Sequence, residues 1–410
     1  MQVIRSAKSR KIACISSIDH TTSTTLVVYP TDMISIDIPT SPRTVNVQII
    51  DTTFRITNGP LGHFVGPRID GHGSLNAGAL CFLITHTDPQ TGKERRFIFD
   101  LGTPKNWKQD LPEPLVSRIS TWEDNGAVIT IEKYVSEILE ENGVDLTSIE
   151  GLIWSHAHWD HMGRPSLFPS SVNLIVGPSI KSRFYPGYPE NADAPFRSSE
   201  VTNREVIELS FESSNLTIGG MRAIDFFQDG SFYILDAPGH AHGHINALAR
   251  TTTSSPGSDN FQVEDVGADT FMFLGADSYH LGSQIRPNEY TPLPGSIQLQ
   301  GFTACPCPGE IFERLHPLPV GGDPKTTPFY IIPEKSVAVD VNDARDVIKK
   351  IQVFDADENI LVLNAHEWNY YDVLELFPKS AHGWKKATWK ERMRWRFLED
   401  FQKAVEISSL

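Results

Sequence analysis

The stretch 155–163, SHAHWDHMG, places three histidines and one aspartate within six residues: His156, His158, Asp160 and His161. On an extended segment or tight loop, side chains two residues apart point the same way, so His156 and His158 can reach one metal ion. Asp160 and His161 are adjacent and face differently, which suits a neighbouring ion. Neutral imidazole and carboxylate are ligands of zinc and similar divalent ions. Because four polar groups directly after the apolar run GLIW are costly to bury without a common partner, the stretch predicts a metal site.

Further candidate ligands occur at three later positions: His240 in DAPGHAHGH, Asp277 in FLGADS and His366 in LVLNAHE. Two cations in one pocket repel each other, so a shared anion is expected between them, either the carboxylate of Asp277 or a hydroxide. Two-ion sites polarise a carbonyl group and lower the pKa of bound water towards about 7. Such a site produces a nucleophile without a serine or a cysteine. His244, in the PGHAHGH motif, is expected either near the site or in stabilising the turn.

The predicted ligands follow four apolar segments typical of buried β-strands, IEGLIWSH, GSFYILDAPGH, TFMFLGADS and NILVLNAHE. Each strand delivers a histidine or an aspartate at its carboxyl end, where sites of α/β folds gather because rigid strands aim the loop side chains. GALCFLITH and RRFIFDLGT indicate two further strands, and the chain from TTLVVYP through TVNVQIIDTTFRI is also strand-like. Apolar residues at helical spacing predict helices over 126–142 and 383–404.

The predicted organisation is one large catalytic domain with an extension at each end. Residues 1–45 are predicted to be an N-terminal extension, residues 46–375 the catalytic domain, and residues 376–410 a C-terminal helix packed on that domain. Residues 281–335 are rich in proline and glycine and lack clear periodicity, so they are predicted to be a long insertion near the site.

The charge balance restricts the class of partner. The 410 residues carry 36 Lys and Arg against 51 Asp and Glu, a formal net charge of −15. This balance disfavours nucleic acids and anionic membranes, because phosphate binding needs clustered cations. No run of about 18 apolar residues and no secretory signal occurs, so we expect no membrane span and a cytoplasmic location. The expected partner is a small-molecule substrate, and the expected oligomeric state is a monomer or a homodimer.

The motifs SHAHWDH, PGHAHGH, GAD and NAHE, preceded by FDLGT, make the chain resemble the hydrolases of the metallo-β-lactamase superfamily over roughly residues 45–375. The resemblance implies an α/β fold, a four-layer αβ/βα sandwich with two facing mixed sheets, outer helices and the metal ions at one edge. It also implies two divalent ions, with zinc as the first choice and iron, manganese or cobalt accepted by the same ligand types. By position, the first ion is assigned to His156, His158 and His240, the second to Asp160, His161 and His366, and Asp277 is shared.

SHAHWDHMG together with PGHAHGH is most similar to the acyl-homoserine-lactonase-like branch of the superfamily. Asp277 stands where typical zinc β-lactamases have a cysteine, and His158 stands where flavo-di-iron proteins usually have a glutamate. Lactonases of this branch have a tyrosine three residues after the shared aspartate, which assists at the substrate carbonyl. Here Tyr279 lies two residues after Asp277 and His280 lies three after it, so either is a candidate for this catalytic role. Asp160 is implied to protonate the leaving group as well as to bind metal.

These observations predict a binuclear metal-dependent hydrolase that opens a cyclic ester or amide, a lactone or a lactam, by attack of a metal-bridging hydroxide. A role in natural-product metabolism or detoxification is expected. A thioesterase of the glyoxalase II type, or one acting on carrier-protein thioesters, is an alternative with the same ligands. A non-catalytic metal-binding protein is the third alternative. The choice between Tyr279 and His280 stays open at this point.

Overall fold

The computed structural model describes residues 36–254, 268–302, 306–317 and 322–408. The strand-like stretch TTLVVYP and the predicted N-terminal extension up to residue 35 lie outside the described residues. The predicted domain boundaries stay predictions.

Seven strands form a mixed sheet in which antiparallel pairs give way to parallel ones. The strands are β1 (Val45–Gly59), β2 (Leu75–Thr87), β3 (Glu94–Phe99), β4 (Val128–Thr130), β5 (Ile149–Ile153), β6 (Asn173–Val176) and β7 (Val206–Glu208). Their order is β4-β1-β2-β3-β5-β6-β7. β1 pairs antiparallel with β4 and β2, and β2 with β3, whereas β3, β5, β6 and β7 run parallel. The carboxyl ends of β3 and β5 therefore lie side by side.

Six strands form the second sheet, and a separate small sheet contains two more. The strands in chain order are β8 (Thr217–Ile218), β9 (Met221–Asp225), β10 (Phe232–Asp236), β11 (Ile245–Thr252), β12 (Thr270–Leu274), the two-stranded pair β13 (Ser296–Ile297) and β14 (Cys307–Pro308), and β15 (Ile360–Leu363). The order of the large sheet is β15-β12-β11-β10-β9-β8. β12 and β15 are parallel, and β11 runs antiparallel between β10 and β12. The carboxyl ends of β10, β12 and β15 therefore point the same way.

Alternating side chains along the strands build apolar clusters on both faces of each sheet. In β10, Phe232 and Ile234 belong to the cluster between the two sheets, which also contains Val47 of β1. Tyr233 and Leu235 belong to a cluster on the outer face of the second sheet. The two sheets therefore face each other across one core.

Helices pack against both sheets, most of them on the outer faces. They are α1 (Trp107–Asp110), α2 (Glu113–Asp124), α3 (Val135–Glu141), α4 (Ile180–Phe184), α5 (Glu310–Glu313), α6 (Val341–Ala356), α7 (Trp389–Met393) and α8 (Gln402–Ser408). Residues of α1 to α5 and of α8 join the cluster on the outer face of the first sheet, and α6 covers the second sheet. The predicted four-layer αβ/βα sandwich is confirmed. In the described part of the chain, no helix has the length and apolar character that crossing a membrane requires.

The predicted helix over 126–142 is wrong in its first half. Residues Val128–Thr130 form the edge strand β4, which pairs with Arg55–Thr57 of β1, and α3 begins only at Val135. Three consecutive β-branched residues fit a pleated edge better than a helix. Their apolar spacing is compatible with both structures, and the pairing with a distant strand decides between them.

The predicted helix over 383–404 is replaced by three short helical segments: α7, a 3₁₀ helix at Arg396–Phe401, and α8. Trp384 and Trp389 pack into the cluster between the sheets, whereas Phe397 and Phe401 pack into the cluster on the outer face of the first sheet. One straight helix cannot bury these two pairs in different layers, so the chain bends between them.

Residues 281–335, predicted to be an insertion near the site, pack closely against the domain where they are described. Phe312 and Tyr330 are buried in the cluster on the outer face of the first sheet. The guanidinium of Arg286, whose side chain is 3% exposed, donates from Nε to Oδ2 of Asp355 in α6 at 2.7 Å. A buried ion pair ties this segment to the second sheet's covering helix.

Replacing Asp355 by asparagine is expected to lower the free energy of unfolding by about 3–5 kcal/mol near neutral pH, because Arg286 then stays buried without its counter-charge. Burial raises the pKa of Asp355, but Arg286 outweighs it and holds that pKa below its usual range. The pair therefore stabilises the fold above the unfolded-state pKa of the carboxyl and is lost as the pH falls through the folded-state pKa. Urea unfolding followed by circular dichroism measures the loss.

Asp346→Asn provides the matched control, since it breaks the exposed Asp346–Lys350 pair on the same helix. Exposed pairs of this kind contribute at most about 1 kcal/mol. Equal losses in the Asp346 and Asp355 variants would contradict the assigned role of the buried pair.

Candidate metal centre

Strand ends from both sheets meet at the candidate metal centre. From the first sheet, the loop after β5 carries residues 155–161, which contain four of the predicted ligands. From the second sheet, His240 follows β10, Asp277 follows β12 and His366 follows β15. The site therefore lies at the edge of the sandwich, where the carboxyl ends of these strands converge.

The seven predicted ligands fall into two groups that have one member in common. In each group, one candidate ligand atom per residue lies within 4.8 Å of the corresponding atoms of the others. The first group is His156, His158, His240 and Asp277, and the second is Asp160, His161, Asp277 and His366. The structure thus brings together every predicted ligand in the predicted division.

The carboxylate of Asp277 faces both groups with different oxygens. Its Oδ2 lies 3.5 Å from Nε2 of His240 and 3.8 Å from Nε2 of His156. Its Oδ1 lies 2.9 Å from Nε2 of His366 and 3.0 Å from Nε2 of His161. This is the geometry of a carboxylate that can be shared by two cations.

The imidazole nitrogens and carboxylate oxygens of the two groups are better suited to binding divalent ions than to forming hydrogen bonds with one another. Nε2 of His156 is buried and has no hydrogen-bond partner among the described residues, and Nε2 of His161 meets only Oδ1 of Asp277. Such atoms are costly to bury without a partner. Burial lowers the pKa of His156 and His240, and lowers that of His158 to about 3. These three imidazoles are therefore neutral, the form that binds metal.

A positive charge is favoured in the second group. Burial alone would lower the pKa of His161, but the nearby carboxylates of Asp277 and Asp100 outweigh it and raise that pKa. The pKa of His366 is raised in the same way, with burial opposed by Asp277 and Asp160. A divalent ion would supply the positive charge that these carboxylates attract.

The remote nitrogens of the second group are held by buried acceptors. Nδ1 of His161 lies 2.8 Å from Oδ2 of Asp100, which also accepts the hydroxyl of Ser155. Nδ1 of His366 lies 2.8 Å from the carbonyl oxygen of Gly78. A hydrogen bond from Nδ1–H leaves Nε2 free to bind metal and fixes the orientation of the ring.

Two predicted ligands are partly exposed. His158 is half-buried, and its Nδ1 lies 3.0 Å from Nε2 of His240. The side chain of Asp160 is 14% exposed, and its Oδ2 lies 3.6 Å from Nε2 of His366. The other five predicted ligands are buried.

The structure separates the two candidates for assistance at the carbonyl. Nε2 of His280 lies 3.3 Å from Oδ2 of Asp277, and neither ring nitrogen of His280 has a hydrogen-bond partner among the described residues. Its ring stacks on His366 at 5.8 Å and lies 4.6 Å from the ring of Phe64. Tyr279 is fully buried in the cluster on the outer face of the second sheet. His280 thus borders the candidate ligands, and Tyr279 packs into the core.

Several residues at the site have no clear signal in the sequence. Phe64 belongs to a glycine-rich stretch that reads as a surface loop, yet its ring contacts His280. Gln284 is 1% exposed, and its Oε1 accepts the backbone N–H of His280 at 2.7 Å. Glu367 is the final residue of the NAHE motif, and its Oε2 accepts the N–H of Gly282 at 2.6 Å. Only Glu367 lies in a motif that could have indicated its position.

Comparisons with known proteins identify the family of this chain. Residues 78–255 match the family model of the metallo-beta-lactamase superfamily. Gamma-lactamase FDB1 of Fusarium pseudograminearum is 39% identical over 371 residues, 89% of this chain and 84% of that protein. Metallo-hydrolase mfmC of Annulohypoxylon moriforme is 39% identical over 377 residues, 90% of this chain and 91% of that protein.

Among solved structures, a quorum-quenching N-acyl homoserine lactone hydrolase matches with a TM-score of 0.45 and 14% identity, covering 84% of this chain and 100% of that chain. The similarity to the two sequence relatives extends over most of both chains and includes all the strands that carry the site. This chain therefore belongs to the metallo-β-lactamase superfamily and is a metal-dependent hydrolase.

Proposed function

We propose that this protein opens the ring of a cyclic amide or ester, a lactam or a lactone, with two divalent ions bound at the shared carboxylate of Asp277. The observation that carries the proposal is the placement of the two oxygens of Asp277 against two separate groups of candidate ligands. A relative named gamma-lactamase, 39% identical over most of the chain, supports a cyclic amide as the first choice.

Zinc is the proposed metal, with iron, manganese or cobalt as alternatives that the same ligand types accept. Bound at the two groups, such ions lower the pKa of a water molecule and polarise the carbonyl of the substrate. A natural-product ring in secondary metabolism or detoxification is the proposed substrate. A cytoplasmic location and a monomeric or homodimeric state stay predictions.

His280 and Asp160 are the proposed catalytic side chains of the ring opening. His280 borders the first group through Oδ2 of Asp277, so its Nε2 can donate a hydrogen bond to the carbonyl oxygen as negative charge develops there. Asp160 is the partly exposed member of the second group, so its carboxylate can take up the proton that the attacking water loses and pass it to the leaving nitrogen or oxygen. Tyr279, the other candidate of the sequence, is buried among the apolar side chains on the outer face of the second sheet.

A substrate panel tests the reaction class. The zinc-loaded protein is expected to hydrolyse γ-lactams or γ-lactones with a higher kcat/KM than glutathione, CoA or carrier-protein thioesters, because a relative 39% identical over most of the chain is named a gamma-lactamase. Product carboxylate measured by mass spectrometry gives the rates. Turnover of thioesters alone would reject the lactam or lactone and favour the thioesterase alternative.

Asp277→Asn tests whether two ions share this carboxylate. The amide keeps the shape but loses the negative charge, so the variant is expected to bind at least one ion fewer and to lose activity beyond the roughly 10–100-fold typical of residues that only orient ligands. Elemental analysis and steady-state kinetics measure both effects. A variant with unchanged metal content and turnover would show that the site does no chemistry.

His280→Phe and Tyr279→Phe form a matched pair for the carbonyl-assisting role. His280→Phe is expected to lower kcat by about 10²-fold, the typical cost of removing one donor to an oxyanion, while the metal content stays the same. Tyr279→Phe removes a hydroxyl remote from both ligand groups and is expected to leave kcat close to that of the unaltered protein. The reverse ranking of kcat would assign the role to Tyr279.

A further inference from the structure

The segment 277–282, which carries Asp277 and His280, is held by buried side chains from other parts of the chain. It begins just beyond the end of β12, where Gly275 N–H donates to Leu363 O and Ala276 O accepts from Ala365 N–H. Every described residue of this segment is buried. Because buried backbone groups must find partners, side chains take the place of a neighbouring strand here.

Four side chains supply partners for these backbone groups, and a fifth bonds a side-chain hydroxyl of the segment. His244 accepts Asp277 N–H, Asn246 accepts the Ser278 hydroxyl, Asn364 donates to Tyr279 O, Gln284 accepts the N–H groups of His280 and Leu281, and Glu367 accepts Gly282 N–H. None of the five belongs to either group of candidate metal ligands. The position of the shared carboxylate and that of His280 are therefore set by residues with no direct contact with a bound metal.

His244 makes the first of these contacts and spans two strand ends. It is 1% exposed, and its Nδ1 lies 3.1 Å from the carbonyl oxygen of Ala237, at the end of β10. A carbonyl oxygen only accepts, so Nδ1 carries the proton and Nε2 is the free acceptor. Nε2 lies 3.3 Å from the backbone nitrogen of Asp277, beyond the end of β12. The imidazole of His244 thus links the end of β10, which precedes His240, to Asp277, the proposed shared ligand.

Gln284 makes the corresponding contact for His280. Its Oε1 accepts His280 N–H at 2.7 Å and Leu281 N–H at 3.2 Å. Its Nε2 donates to the carbonyl oxygen of Phe64 at 3.4 Å, and the ring of Phe64 contacts His280. Gln284 therefore holds the backbone of His280 and the loop that flanks its ring.

We propose that His244 and Gln284 are positioning residues with separate tasks: His244 orients Asp277 and so decides how tightly the shared ions are held, and Gln284 orients His280 and so decides turnover. The proposal deepens the proposed function and rests on it for the task of Gln284. The task of His244 concerns metal affinity alone, so it can be measured without a substrate.

Zinc titration of the metal-free protein against a fluorescent chelator tests the task of His244. His244→Asn can keep the donor to Ala237 but places no acceptor at Asp277, whereas His244→Gln can place an oxygen near the position of Nε2. His244→Asn is expected to weaken binding of the more weakly held ion by about 10–100-fold, and His244→Gln by less.

His242→Asn and His242→Gln are the matched controls, because His242 lies in the same PGHAHGH motif, is half-buried and makes no hydrogen bond to Asp277. Both are expected to bind zinc as the unaltered protein does. Urea unfolding of each metal-free variant reports on folding. If His244→Asn does not fold, the comparison of zinc affinity between His244→Gln and His242→Gln tests the proposal instead. Zinc affinity unchanged in the folded His244 variants, or lost equally in the His242 variants, would overturn the proposal.

Gln284→Met tests the second task, since methionine has nearly the same length but no amide. The variant is expected to keep the zinc affinity of the unaltered protein while kcat for the ring-opening reaction falls by about 10–100-fold, with a smaller change in KM. Loss of zinc together with kcat, or an unchanged kcat, would overturn the division of tasks. If no lactam or lactone is hydrolysed by the unaltered protein, the proposed function and the task of Gln284 fail together, while the zinc titrations still decide the task of His244.

Discussion

The buried carboxylate of Asp277, set between two groups of imidazoles, is the interaction on which the arrangement of this protein depends. A carboxylate removed from water costs several kcal/mol unless opposite charge and hydrogen bonds compensate. Here Nε2 atoms of five histidines lie within 3.8 Å of its two oxygens: His156, His161, His240, His280 and His366. Because one residue serves both groups, neither group can be displaced without disturbing the other.

This constraint explains why the site needs both sheets. The ligands after β5 come from the first sheet, and those after β10, β12 and β15 come from the second. The apolar cluster between the sheets fixes their separation, since its side chains interdigitate at the density of a solid and shift little. The buried acceptors Asp100 and Gly78 then fix ring orientation. Sheet packing sets the distance between the ligands, and hydrogen bonding sets their direction.

The site is the part of the molecule that its sequence predicts best. Each candidate ligand follows an apolar strand, and the spacing of His156, His158 and His161 favours a common metal partner. Two features of the fold, β4 and the bend of the C-terminal region, were not predicted because they depend on contacts between residues distant in the sequence. β4 forms because Val128–Thr130 meets β1, about 70 residues earlier in the chain. The C-terminal region bends because its aromatic residues are buried in two different layers.

The sequence also could not predict which of Tyr279 and His280 lies beside the candidate ligands. The alternation of side chains along a strand ends with β12. The directions in which the side chains of Tyr279 and His280 point therefore depend on the hydrogen bonds of the irregular segment that follows. Those bonds come from His244, Gln284 and Glu367, which are distant in sequence or lie beyond the segment. A motif can therefore identify the ligand while leaving the facing of its neighbours undetermined.

The buried ligand atoms that lack hydrogen-bond partners connect metal binding to the stability of the fold. Nε2 of His156 is buried without a hydrogen-bond partner among the described residues, Nε2 of His161 meets only the carboxylate of Asp277, and an unpaired buried atom costs about 1–3 kcal/mol. A ligand that binds only the folded chain adds RT ln(1 + [L]/Kd) to its stability. Metal ions that satisfy these atoms would therefore remove an energetic cost of the fold and stabilise it at once. The strand ends would be held together most firmly in the state that is competent for catalysis.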